Sequence, residues 1–202
     1  MPPAASPRDR PRHPPGLPVL FVTELCERYS FYSMMAILTL YMDEALRFDT
    51  EAAGRVYGAY VGGVYLTPLA GGWLADRRLG FARAVVIGGI VMMGGHLALA
   101  VDTRPAFYAG LVLLACGSGL LKPNISALVG NLYRDRPALR DAGFNIFYMG
   151  INLGGFIAPL SVASLRARYG WAIAFGSAAV AMLISLTVFV AGRGHLGPAA
   201  ER

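Results

Sequence analysis

Long apolar runs separated by short charged loops dominate this chain. Four runs carry no charge at all: residues 56–75, 84–101, 142–165 and 169–192, each 18–24 residues long. Two more are as long but carry charge. Residues 17–42 contain Glu24, Glu27 and Arg28, and residues 105–133 contain only Lys122. A helix rises about 1.5 Å per residue and takes about 20 apolar residues to cross the roughly 30 Å hydrocarbon core of a bilayer. The pattern therefore predicts an all-α membrane protein, a bundle of six transmembrane helices over residues 17–192.

The flanks read differently. Residues 1–16, MPPAASPRDRPRHPPG, are rich in Pro and Arg and bury too little apolar surface to fold alone. No separate apolar segment with a cleavage site follows, so they do not read as a signal peptide. They are expected to form a flexible, disordered cytoplasmic tail, and residues 193–202 a second, C-terminal cytoplasmic tail. The basic residues of the loops fix the orientation. With the N-terminus inside, the cytoplasmic segments hold Arg8, Arg10, Arg12, Arg77, Arg78, Arg83, Arg134, Arg136, Arg140, Arg193 and Arg202, against Arg47, Arg55, Arg104, Arg166 and Arg168 outside. The positive-inside rule then places both termini in the cytoplasm of a multi-pass protein of the cell (inner) membrane. Glycines crowd the second, third and fifth runs, as expected where helix backbones pack closely in lipid.

Composition agrees. Of 202 residues 55% are apolar and 15% charged, with mean hydropathy +0.50, whereas a soluble domain carries about 25% charged residues. The net charge of +6 forms no basic, aromatic-interleaved patch, which argues against a nucleic-acid partner. Cys26 and Cys116 both fall inside apolar runs and read as small core residues rather than a disulfide framework. No metal-ligand spacing, GxSxG or HExxH motif is present. The chain is therefore expected not to be an enzyme and to use no metal or organic cofactor.

The intramembrane charges are the informative feature. Each costs about 2.5–3.5 kcal/mol at the centre of a span, so they are expected to face the bundle interior or a wet cavity. Glu24, Glu27 and Arg28 have i, i+3, i+4 spacing and share one helix face within about a turn, so Glu24 and Arg28 can pair. Lys122 is the chain's one lysine, a compact charge on a flexible stem. Arg28 lies 11 residues from the start of its run and Lys122 11 from the end of its own, each about 16 Å deep. Tyr65 and Asn152 fall at nearly the same depth. These groups are expected to meet in one charge-balanced chamber near the midplane, where transporter sites lie. His96, alone in the third run, reads as a core or interhelical group.

The segment Glu24-Leu-Cys-Glu27-Arg28-Tyr29-Ser-Phe31-Tyr32-Ser33 resembles the ExxERFxYYG signature of the proton-dependent oligopeptide transporter family of the major facilitator superfamily. Three further segments are similar to that family: VYLTPLAGGWLADRRLG (64–80), GLLKPNISALVGNLY (119–133) and RDAGFNIFYMGINLGGFIAPL (140–160). The resemblance implies proton coupling through Glu24, Glu27, Arg28 and Lys122. It implies a substrate site made of Tyr32, Tyr65, Lys122 and Asn152, with protons as the coupling ion. Gly72, Asp76 and Arg77 resemble the superfamily's conformational loop motif between the second and third helices. The signature is varied at Tyr29, Phe31 and Ser33. Met35 stands where many members carry an arginine for the substrate carboxylate, which leaves Lys122 for that role.

The implied activity is proton-coupled symport of di- and tripeptides, with the chain corresponding to the N-terminal half of the superfamily fold. Nothing after Arg193 resembles the family's second six-helix bundle, so a missing C-terminal bundle or second half-subunit is expected as a partner, beside the lipid bilayer and a short peptide. The alternative is a non-transporting remnant or a partner-binding six-helix membrane module.

Overall fold

The computed structural model describes residues 12–200 and is all-helical over the long apolar runs. Six long helices follow in order: α1 (Leu17–Glu44), α2 (Thr50–Leu74), α3 (Phe81–Leu99), α4 (Arg104–Leu132), α5 (Arg140–Tyr169) and α6 (Trp171–Gly192). Their starts follow local chemistry. The Asp49 carboxylate accepts from Ala52 N at 2.7 Å to cap α2, and Thr103 Oγ1 accepts from Ala106 N at 3.4 Å to cap α4. Proline occupies the first turns of α1 and α4, where no helical partner is lost.

Two boundaries differ clearly from the sequence pattern: α2 begins at Thr50 rather than residue 56, taking Glu51 and Arg55 into its first turns, and the break between α5 and α6 is displaced. The fifth run was expected to end at residue 165 and the sixth to begin at 169, but α5 continues through Arg166 and Arg168 to Tyr169. Cations in a last helical turn meet the negative end of the helix dipole, so these arginines extend the helix. The break comes instead at Gly170, whose φ of 82° only glycine adopts readily.

By length and composition, four of the helical stretches are apolar enough to cross a membrane: Phe81–Leu99, Arg104–Leu132, Pro137–Tyr169 and Trp171–Gly197. The other two long helices carry more charge: Glu24, Glu27 and Arg28 in the middle of α1, Glu51 and Arg55 in the first turns of α2.

The helices pack in the order α2–α4–α3–α6–α1–α5, with only slight contact of α1 with α2 and α4. Close crossings depend on glycine. At the α2–α4 crossing a Cβ on Gly71 would collide with the Gly119 carbonyl. Pro123, four residues on, has no N–H for that carbonyl, which is thus left free to face α2. Thr67 Oγ1 ties the same seam by donating to Ala115 O at 2.7 Å.

Both ends of the bundle are tied. At one end Tyr41 packs edge-on against Trp171 and Phe175 and donates to Asp102 at 3.0 Å. At the other, His13 Nδ1 and Tyr133 Oη lie 2.7 Å apart and Arg136 Nη1 donates to Arg12 O at 2.6 Å. Residues 12–16, assigned to the flexible tail from sequence, are thus packed onto the α4–α5 connection; residues 1–11 lie outside the described part. Residues Arg193–Ala200 form short 3-10 turns whose Leu196 is buried against Gly16. The core reading fails for Cys116, which is exposed on the groove between α2 and α4, while Cys26 is half-buried.

Candidate functional site

The site begins with the middle of α1. Gly150 and Gly154 let α5 lie directly on it: a Cβ at Gly154 would sit 2.5 Å from Leu25 O and 3.0 Å from Arg28 Cβ. Under this cover Glu24, Glu27 and Arg28 are 2%, 0% and 3% exposed. Arg28 Nε lies 3.3 Å from Glu24 Oε1, and Nε and Nη2 both donate to the Glu27 carboxylate, the two-pronged geometry that a guanidinium fork favours. The guanidinium carbon also stands 5.1 Å from the Phe31 ring centroid. The trio sets two carboxyl groups against one guanidinium, and Glu24 Oε2 has no partner among the described residues.

Lys122 is exposed on α4 and makes no ion pair within 4 Å among the described residues. It is nevertheless close enough for its charge to act on Glu24, Glu27 and Arg28. The expected balanced chamber is therefore a buried trio with the ammonium standing outside it. Tyr32 is 38% exposed, packs on Gly155 and meets Phe31 edge-on. Tyr65 is 76% exposed, and Asn152 is exposed on α5. The four candidate substrate residues thus come from α1, α2, α4 and α5, each with its side chain open, while α3 and α6 contribute none.

The loop motif takes a distinct shape. Gly72 lies near the end of α2 with open space around it. Asp76 and Arg77 are exposed on a π-helical turn, Ala75–Leu79, and the Arg77 guanidinium lies 5.9 Å from the Trp73 ring centroid. Gly80, at φ 75°, ends the turn and α3 begins at the next residue.

Sequence reasoning missed two neighbours of the trio. Tyr60 on α2 is 5% exposed, close enough to Glu27 and Arg28 to feel both charges, and its hydroxyl is unpartnered among the described residues. Ser30, two residues beyond Arg28, is fully buried against the fully buried His96, with Oγ 3.0 Å from Nε2. His96 is therefore the interhelical group its isolation suggested. The signal for Ser30 was its i+3 spacing from Glu27; nothing in the sequence singles out Tyr60 from the other tyrosines.

Known proteins bear on this arrangement. Residues 82–197 match the family model described as PTR2, POT family. The chain is 49% identical to the uncharacterized transporter YclF of Bacillus subtilis (strain 168), over 90% of its own length and 38% of the relative's. It is 42% identical to the peptide transporter YePEPT of Yersinia enterocolitica subsp. palearctica, over 94% of its length and 38% of that protein's. The fold superposes with a TM-score of 0.90 on a crystal structure of the peptide transporter POT in complex with sulfate, at 46% identity, covering 94% of this chain and 40% of that one. A POT family transporter in complex with 5-aminolevulinic acid gives a TM-score of 0.87 at 35% identity, covering 92% and 39%. The chain thus spans about two fifths of the length of these relatives. The matched family model covers more than half of its residues, and the chain belongs to the POT family.

Proposed function

We propose that this chain is the N-terminal six-helix bundle of a proton-coupled symporter for di- and tripeptides. All six long helices cross the cell (inner) membrane, and both termini face the cytoplasm. The positive-inside distribution of arginines supports that orientation, and the glycine-lined crossings suit packing in lipid. Membership of the family and the peptide-transporter names of its relatives support the substrate class.

The observation that carries the reading is the burial of Glu24, Glu27 and Arg28 in the middle of α1, with Lys122 exposed beside them. Buried ion pairs stabilise poorly, and ionisable groups inside a membrane mark proton and substrate pathways. Glu24 Oε2 is free to receive a proton or the Lys122 ammonium. Protonating it cancels the trio's excess negative charge and releases Lys122 for the carboxylate of an incoming peptide. Tyr32, Tyr65 and Asn152 offer open hydroxyl and amide groups to the peptide backbone. The Gly72–Asp76–Arg77 turn braces α2 against α3 in one state of the cycle. A second six-helix bundle closes the substrate site, and rocking of the two bundles alternates access. A ligand shifts such an equilibrium only as far as it binds the two states differently, and the changed charge of the trio provides that difference.

The test is uptake of labelled di- and tripeptides into proteoliposomes holding the full-length transporter, with an inward proton gradient. Lys122→Ala is expected to abolish gradient-driven uptake. Equal gradient-driven uptake by wild type and Lys122→Ala refutes the assigned role, and no peptide uptake by wild type refutes the substrate class.

A further inference from the structure

Where α1 touches α3 through Ser30 and His96, buried polar atoms are left without partners among the described residues. Ser30 and His96 are fully buried and joined, Oγ to Nε2, at 3.0 Å. A neutral imidazole presents one donor and one acceptor nitrogen, so the second nitrogen has its own requirement in either tautomer. His96 Nδ1 has no partner among the described residues. Ser33, also fully buried, has an unpartnered Oγ. Ser33 follows Ser30 by three residues on α1, a spacing that puts their Cβ atoms about 5–6 Å from one another on neighbouring turns. Leaving a hydroxyl dry in an apolar interior costs about 2–7 kcal/mol, and outside the bundle there is only lipid to meet the need. A buried water takes 2–4 hydrogen bonds from such groups and removes the penalty.

We propose that a buried water molecule sits beside the Ser30–His96 contact, bound by His96 Nδ1 and Ser33 Oγ. The water extends the polar interior from Arg28 toward the C-terminal end of α1. His96 is then a water ligand as well as a link between helices, and Ser33, where the family signature has glycine, adds a hydroxyl to the site.

Water-edited solid-state NMR of the 202-residue chain in lipid nanodiscs, labelled with 13C,15N-histidine and ring-13C phenylalanine and with the Phe175 signal assigned by its loss in Phe175→Leu, tests this without any transport measurement. His13→Gln and His195→Gln, both at exposed positions, assign the remaining ring signals to His96. Magnetisation from water is expected to reach the His96 ring several-fold faster than the ring of Phe175, which is as fully buried but apolar. Ser33→Gly and Ser33→Ala are expected to lower that transfer while leaving helical content unchanged. Transfer to His96 no faster than to Phe175 overturns the proposal. So does unchanged transfer in both Ser33 variants, which would mean that the hydroxyl bonds its own helix instead.

Discussion

Removing Arg28 alone is expected to harm the bundle more than removing the entire charged trio. In Arg28→Met the carboxylates of Glu24 and Glu27, 2% and 0% exposed, lose the guanidinium that both contact. Breaking a buried ion pair from one side costs about 3–5 kcal/mol, because a charge stays behind without compensation. Arg28→Met is therefore expected to lose about 3–5 kcal/mol. The triple variant Glu24→Gln, Glu27→Met, Arg28→Met removes every charge and keeps the volume. Apolar replacement of a buried ion pair is neutral or stabilising by about 1–4 kcal/mol, so the triple variant is expected at or above wild-type stability. The assay is unfolding in mixed micelles at increasing SDS fraction, read by circular dichroism. Acidification should recover part of the loss in Arg28→Met, since a protonated carboxyl needs no counter-charge, and should help the triple variant little. If Arg28→Met lies within about 1 kcal/mol of wild type, the three residues are not desolvated as the geometry requires. If the triple variant is as unstable as the single one, the residues matter for their packing and the charge argument fails.

Other predictions probe the packing. Gly154→Val, whose Cβ would sit 2.5 Å from Leu25 O, should destabilise by about 1–3 kcal/mol in the same assay, as overpacked sites do, whereas Gly58→Ala, with open space around it, should stay within about 0.5 kcal/mol. Tyr41→Phe removes the 3.0 Å bond to Asp102 and should cost about 0.5–1.5 kcal/mol, read as a lower thermal midpoint. Thr67→Val removes the 2.7 Å bond from α2 to Ala115 O and should cost about 0.6 kcal/mol, the average for interhelical hydrogen bonds in membranes.

Helix existence was legible because the apolar runs are long and the loops charged; α1 begins at residue 17, where the pattern begins. The break between α5 and α6 was misplaced because charge was read as an end signal. A helix tolerates Arg166 and Arg168 in its last turn, so the end is set by the backbone conformation of Gly170. Within the site, the i, i+3, i+4 spacing announced the Glu24–Glu27–Arg28 contact because it is local to one helix. The standing of Lys122 was not legible in the same way. Depth along a helix follows from residue counting, but rotation about its axis depends on which neighbours pack against it. For α4 that rotation is set by the glycine crossings with α2 and α3, which bury Gly117 and Gly119 and leave Lys122 exposed. The same reasoning covers Ser30 and His96: each looked like an isolated polar residue, and only the approach of α1 to α3 made them a pair.

The charged trio and the glycine seam under it are parts of one arrangement. Arg28 meets both carboxylates within α1 itself, and α5 covers the trio closely because Gly154 has no side chain to place between Leu25 O and Arg28 Cβ. A side chain there would push α5 away, admit lipid or water beside the guanidinium, and weaken the desolvation of the trio. Small residues in the membrane thus do more than tighten packing: at this crossing they set the dielectric in which the charges interact. The open side chains of Tyr32, Tyr65, Lys122 and Asn152 lie on α1, α2, α4 and α5, outside that cover. One bundle therefore keeps a buried set of charges beside an exposed set of polar groups, with Lys122 near enough for its charge to act on the trio.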